Sequence, residues 1–201
     1  MPMFPLGTVL FPHMPLPLHV FEERYKALTR DCLRSGRRFG VVLIERGHEV
    51  GGGDSRFGLG TVARIVAEAE LAGGRWALLA RGEDRIRVAT WLPEDPYPVA
   101  LVQHLADPEP PDESELKALE RAVRRSLALA TELGLPDTPA ATFELDERLD
   151  TALWQLCALA PLGPVDKQRL LETADHPGRV ELLLGLCQEA IDLFAYRLSG
   201  R

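Results

Sequence analysis

Hydrophobic positions along this 201-residue chain change their period once. Up to about residue 105 they alternate with polar neighbours or fall in short runs bounded by proline and glycine, the pattern of β-strands. Beyond residue 112 they recur every three or four residues, the pattern of helices packed along one face. Asp107-Pro108-Glu109-Pro110-Pro111-Asp112 stands between the two regimes and can sustain neither a helix nor an interior strand. The expected organisation is a strand-rich unit over 1–106, a linker over 107–112 and a helical unit over 113–201.

In the first unit, Met3 to Leu10 and Leu16 to Val20 read as short strands joined by a proline-stiffened turn, Phe11-Pro12-His13-Met14-Pro15. Glu22 to Leu33 reads as a helix, with Tyr25, Leu28, Cys32 and Leu33 on one face and Gly36 as its stop. Phe39 to Glu45 is a near-continuous apolar run, expected to be a buried strand, and Gly51-Gly52-Gly53-Asp54 a loop. Gly60 to Leu71 and Arg75 to Ala80 flank Ala72-Gly73-Gly74, a hairpin turn that exploits glycine's freedom at positive φ. Arg85 to Ala89 and Tyr97 to Leu105 supply further strands. Seven or so short strands with one early helix fit a compact, partly closed barrel. In the second unit four helices are expected: one carrying Leu116, Leu119, Val123, Leu127, Ala130 and Leu133, then Asp146 to Leu159, Pro164 to Thr173, and about His176 to Leu198. Four apolar stripes can satisfy each other as a bundle.

Charge sharpens the division. The net charge is -7, but residues 1–106 carry 13 Lys+Arg against 12 Asp+Glu, a balance of +1, whereas residues 107–201 carry 10 against 18, a balance of -8. Two units with different surfaces follow. Phosphate binding needs concentrated positive potential, so this distribution argues against nucleic acid as the main partner. Cys32, Cys157 and Cys187 are odd in number and unrelated in spacing, which suits buried thiols in a reducing cytoplasm better than a disulfide framework or a metal knuckle. The prolines and late first basic residue, Arg24, do not suit a secretory leader, and no apolar run reaches the ~20 residues of a membrane span.

Candidate chemistry is thin. None of the three lysines, Lys26, Lys117 and Lys167, follows a glycine, so the Gly-Lys pair of a phosphate-binding loop is missing. His48-Glu49 has no second histidine at helical spacing and reads as a polar turn, while Arg34, Arg37 and Arg38 invite an anion-site reading that the helix C-terminus already accounts for. No catalytic residue, metal site or cofactor is expected. Phe11, His13 and Met14 are the most suggestive local group: on a stiffened loop they form an adaptable apolar contact, with a plug beneath the barrel as the alternative role for Phe11.

Taken in order, FPLGTVLFPHMPLPLHVFEERY, RFGVVLIERGHEVGGG, FGLGTVARIVAEAELAGGRWALLARGEDRIRV, PYPVALVQHL and ALAPLGPVDKQRLLETAD resemble the amino-terminal, substrate-binding domain family of the protease Lon across nearly the whole chain. The resemblance implies an α+β protein: a PUA-like barrel of mixed strand direction with one early helix, then a four-helix bundle. It implies a non-enzymatic module that lacks the ATPase and Ser-Lys peptidase regions and binds unfolded or extended protein segments, in quality control or regulated proteolysis. An ATP-dependent protease or further copies of the chain are the implied partners. Glu23 and Arg24 match the polar positions that open the family's first helix and join Phe11, His13 and Met14 as candidate peptide contacts. The other reading is an RNA-binding PUA-like protein.

Overall fold

The computed structural model describes residues 1–46, 55–106, 110–136 and 138–200. His48-Glu49, the Gly51–Asp54 loop and the Asp107-Pro108-Glu109 part of the linker lie outside them. The chain divides into two compact units, Met1–Asp107 and Pro108–Arg201.

The first unit holds β1 (Met3–Leu6), β2 (Pro15–Val20), α1 (Glu23–Arg34), β3 (Arg38–Arg46), β4 (Ser55–Leu71), β5 (Arg75–Leu92) and β6 (Val99–Leu105). The sheet order is β1-β3-β4-β5-β2, with β6 also on β5. Only β1 and β3 run parallel; the other pairs are antiparallel, so the barrel is mixed. It closes through Pro2, which bridges Val99, while Met1 and Ala100 exchange both backbone hydrogen bonds at 2.8 and 3.0 Å.

Among the described residues six strands replace the expected seven, because two expected strands are one. Gly82-Glu83-Asp84 separates the strands expected over Arg75–Ala80 and Arg85–Ala89, yet β5 runs straight through it, pairing with β2 in its first half and β6 in its second. Gly82 and Glu83 each have another task. A side chain on Gly82 would sit 2.2 Å from the Phe11 carbonyl, so glycine there admits the preceding loop. Glu83 accepts hydrogen bonds from Arg38 of β3 and Arg64 of β4, fastening three strands at one point. Conversely, β1 stops at Leu6: residues after it leave the ladder, and Leu10 instead offers its carbonyl to the buried Thr61 hydroxyl at 2.6 Å.

Among the described residues the barrel shows two apolar clusters. The larger gathers Phe4, Leu16, Val20, Phe39, Ile65 and Leu78 against Tyr25, Leu28 and Cys32 of α1; the smaller packs Met3, Val42, Val62, Ile86 and Ala100. Helix α1 ends where Gly36 takes φ +94° and the Arg37 amide donates to the Cys32 carbonyl at 2.7 Å.

Glu83 sets one pH response. Burial alone would raise its carboxyl, but hydrogen bonds and charges from Arg64 and Arg38 outweigh that and hold it below its ordinary 4.5. A carboxyl depressed in the folded state stabilises above its unfolded value and loses that contribution as pH falls through the folded one. Wild-type stability is therefore expected to fall below about pH 4.5 more steeply than that of Glu83→Gln, which starts lower at pH 7. Parallel urea midpoints between pH 7 and 3 for the two proteins would contradict this.

The second unit contains α2 (Glu113–Glu132), α3 (Leu149–Leu159), α4 (Pro164–Glu172) and α5 (His176–Ser199). α2 packs on α3 and α5, and α4 on α3 and α5. α2 starts with a capping box: the Asp112 carboxylate accepts from the Ser114 and Glu115 amides, and Glu115 returns a bond to the Asp112 amide. It ends at Gly134, φ +69°. The polar members of its interior tie helices together. Arg179 of α5, wholly buried, lies 4.1 Å over the Trp154 ring of α3 and donates to the carbonyls of Leu170 and Thr173 at the end of α4. Lys167 of α4 donates to the Ala158 carbonyl of α3 at 2.7 Å, and its burial lowers its pKa. Arg124 of α2 reaches the carbonyls of Ala141 and Phe143 and holds the α2–α3 connection.

Candidate functional site

The expected peptide contacts fall in two separate places. Phe11 is 1% exposed, so its ring is buried and not presented to solvent. His13, at φ 65°, and Met14 are half-buried in a tightly fastened turn: the His13 amide donates to Gly82, the Gly82 amide to Met14, and Arg81 to the His13 carbonyl. Glu23 and Arg24 stand past the other end of β2, separated from that turn by six strand residues, roughly 20 Å. Glu23 accepts from Lys26 at 2.8 Å, while Arg24 bonds Glu22 at 3.1 Å and lies 4.5 Å over the Tyr25 ring. Both charges are thus engaged with neighbours at the start of α1, Arg24 with the preceding Glu22, yet Glu23 remains well exposed.

What the strand and helix patterns did not reveal is an open groove of about 150 Å³ lined by Phe4, Leu6, Pro17, Leu18, His19, Val20, Phe21, Glu22 and Tyr25. That is the size of a cavity that accepts one benzene ring. Its cause is topological. β1 and β2 end the sheet order on opposite sides and no ladder joins them, so apolar side chains of both face a gap. The floor includes Phe4 stacked on Tyr25, ring centroids 4.1 Å apart and 11° from parallel. Phe21 stands at the mouth, 56% exposed. It belongs to neither the period of β2 nor that of α1, which is why pattern reading passes over it; an exposed phenylalanine in the short link between two elements was the available signal.

The edges beside the groove cannot take up a strand easily. β1 carries Pro5, and β2 carries Pro15 and Pro17, which have no amide proton to offer.

Other candidate chemistry has a structural explanation. Arg34, Arg37 and Arg38 are paired with Asp31, Glu68 and Glu83, so the anion-site reading fails on carboxylates already in place. The three cysteines are free and buried; burial pushes the Cys32 and Cys157 thiols up to about 12 and Cys187 up to about 11, so none is a thiolate near neutrality. Among the described residues no cluster of His, Cys, Asp and Glu could hold a metal ion, and no helix is long and apolar enough to cross a membrane.

A mixed barrel with an open apolar groove, followed by a four-helix unit, defines an α+β protein with a surface fit for recognition. The chain belongs to the family of the substrate-binding domain of ATP-dependent protease La (LON), which matches residues 1–189. Among curated relatives, Lon protease 2 of Myxococcus xanthus is 34% identical over 92% of this chain, and Lon protease of Anaeromyxobacter dehalogenans is 32% identical over 92%. The chain spans only 23% and 22% of their lengths. Among solved structures, a Lon N-terminal domain protein from Xanthomonas campestris superposes with a TM-score of 0.68 at 30% identity, covering 92% of this chain and 96% of that one. The N-terminal domain of a Mycobacterium avium complex Lon protease, at 20% identity and a TM-score of 0.59, shares the fold.

Proposed function

We propose that this chain captures extended, apolar segments of other proteins, with one side chain seated in the groove between β1, β2 and α1. The observation that carries the reading is Phe21, held exposed at the mouth of an apolar groove in a chain of a substrate-binding family. Exposed aromatic surface beside a concave apolar floor is costly in water and marks a contact site. The bound segment extends from the groove past Glu23 and Arg24 in one direction and toward His13 and Met14 in the other, with Phe11 supporting that turn from within. The module acts without chemistry of its own, in quality control or regulated proteolysis. An ATP-dependent protease, or assembly with further copies of this chain, supplies the subsequent step.

The test is binding of a fluorescently labelled, reduced and carboxymethylated protein, followed by anisotropy. Phe21→Ser removes an exposed ring and leaves the core intact, so folding survives. Binding is expected to weaken about tenfold, the size of losing one apolar side-chain contact. Equal affinity for the two proteins, or no binding by the wild type, overturns the reading.

A further inference from the structure

We propose that the groove opens onto the outer face of β2, β5 and β4, and that this face selects segments carrying acidic residues on either side of an apolar centre. The proposal rests on the groove reading for the anchoring side chain and adds to it a rule of charge. Pro17 and His19 line the groove. They also stand on the exposed side of β2, where they face Leu79 and Ala77 of β5. Across β5, Leu79 faces Ala67 of β4, and the register shift there sets Val66 beside it. Leu79 is 41% and Val66 50% exposed. An apolar strip therefore leads from the groove over three strands in contact with water, which is costly unless something covers it.

Charge frames this strip with one sign. Arg81 occupies the next row, between Pro15 and Arg64, and Arg75 begins β5 with Leu71 across the ladder. In a chain of net charge -7, the rows from Arg75 to Arg81 on this side hold no Asp or Glu. Arg64 is matched by Glu83. Arg75 and Arg81 are exposed and have no carboxylate partner among the described residues; their Nε atoms donate to the carbonyls of Ala72 at 3.1 Å and His13 at 3.0 Å, which steadies each side chain without neutralising it. Arg34, Arg37 and Arg38, by contrast, each meet a carboxylate. Two uncompensated guanidinium groups six residues apart on one strand, roughly 20 Å, suit two carboxylates at that spacing. The occupant is an extended segment of another protein, apolar in the middle and acidic toward both ends, running from the groove toward His13.

The experiment follows the anisotropy of a labelled decapeptide, Phe-Gly-Glu-Thr-Val-Thr-Val-Thr-Glu-Gly, and of versions with both Glu positions changed to Gln or to Lys. At about 50 mM salt the wild type is expected to bind the Glu form about fivefold tighter than the Gln form, the size of two exposed ion pairs, and the Lys form more weakly still. The preference is expected to fade at about 0.5 M salt. Arg75→Gln combined with Arg81→Gln is expected to bring the Glu form down to the affinity of the Gln form, which itself stays unchanged. The corresponding double lysine variant is expected to keep most of the preference. Equal wild-type affinity for the Glu and Gln forms, or a preference that survives in the double Gln variant, overturns the charge rule. Failure of the groove reading shows separately, as binding of the Gln form that Phe21→Ser leaves untouched. A dimer in sedimentation that the double Gln variant dissolves gives the face to the acidic helical unit of a second copy and overturns the proposal too.

Discussion

Trp154→Ala is expected to destabilise the helical unit by about 4 kcal/mol, near the upper end for removing a buried indole. The residue is wholly buried in α3, where its ring carries the guanidinium of Arg179 at 4.1 Å. Truncation therefore does two things. It opens a cavity that neighbouring helices cannot fully collapse, and it strips the contact that a fully buried cation makes with an aromatic face, leaving Arg179 to its carbonyl partners Leu170 and Thr173. Trp154→Phe keeps a ring beneath the charge and is expected to cost less than half as much. Urea unfolding followed by circular dichroism measures both. A loss below about 2 kcal/mol for the alanine variant would mean that Arg179 and the surrounding helices rearrange freely, contrary to the interlocked arrangement described.

The barrel has its own sensitive position. Gly60→Ala is expected to cost about 3 kcal/mol or more, above the ordinary range for one added methyl group. A Cβ there would lie 2.0 Å from the Val41 carbonyl oxygen and 2.8 Å from Cγ1 of Val42. The first obstacle is backbone, so no rotamer change relieves it; β3 and β4 would have to part where Val42 faces Gly60 in the ladder. Gly58→Ala is the control, since nothing lies within 4 Å of its added carbon. The pair should differ by several kcal/mol in urea stability, and a difference under about 1 kcal/mol would show that β3 and β4 yield at little cost.

Much of this architecture was legible in sequence because each element carries its own period and its own stop. Gly36 and Gly134 mark helix ends and do take positive φ, and Gly73 and Gly74, at φ +76° and +67°, make the β4–β5 turn. Pro15 reads as the end of a stiffened turn, and with Pro17 it lies in β2, which ends the sheet order. The missed features are those that depend on partners distant in sequence. Gly82 and Glu83 fall between two expected strands because the alternation lapses there; only the arrival of Phe11, Arg38 and Arg64 explains them inside a strand. The basic residues after α1 read as a cluster because Glu68 and Glu83 lie beyond the reach of a local pattern. The groove escaped for the same reason: a gap between strands exists only once their order around the sheet is known.

The joint between Met1 and Ala100 links positions 99 residues apart. Closing so long a loop carries a large entropic cost before any contact repays it, and rings of this kind assemble late. During synthesis the amino-terminal strand can find β3 early, but its other neighbour emerges from the ribosome only when almost the whole first unit has been made. Phe4 and Leu6 therefore spend that interval beside an unfinished wall, and the partly made first unit is most exposed to capture by chaperones along β1.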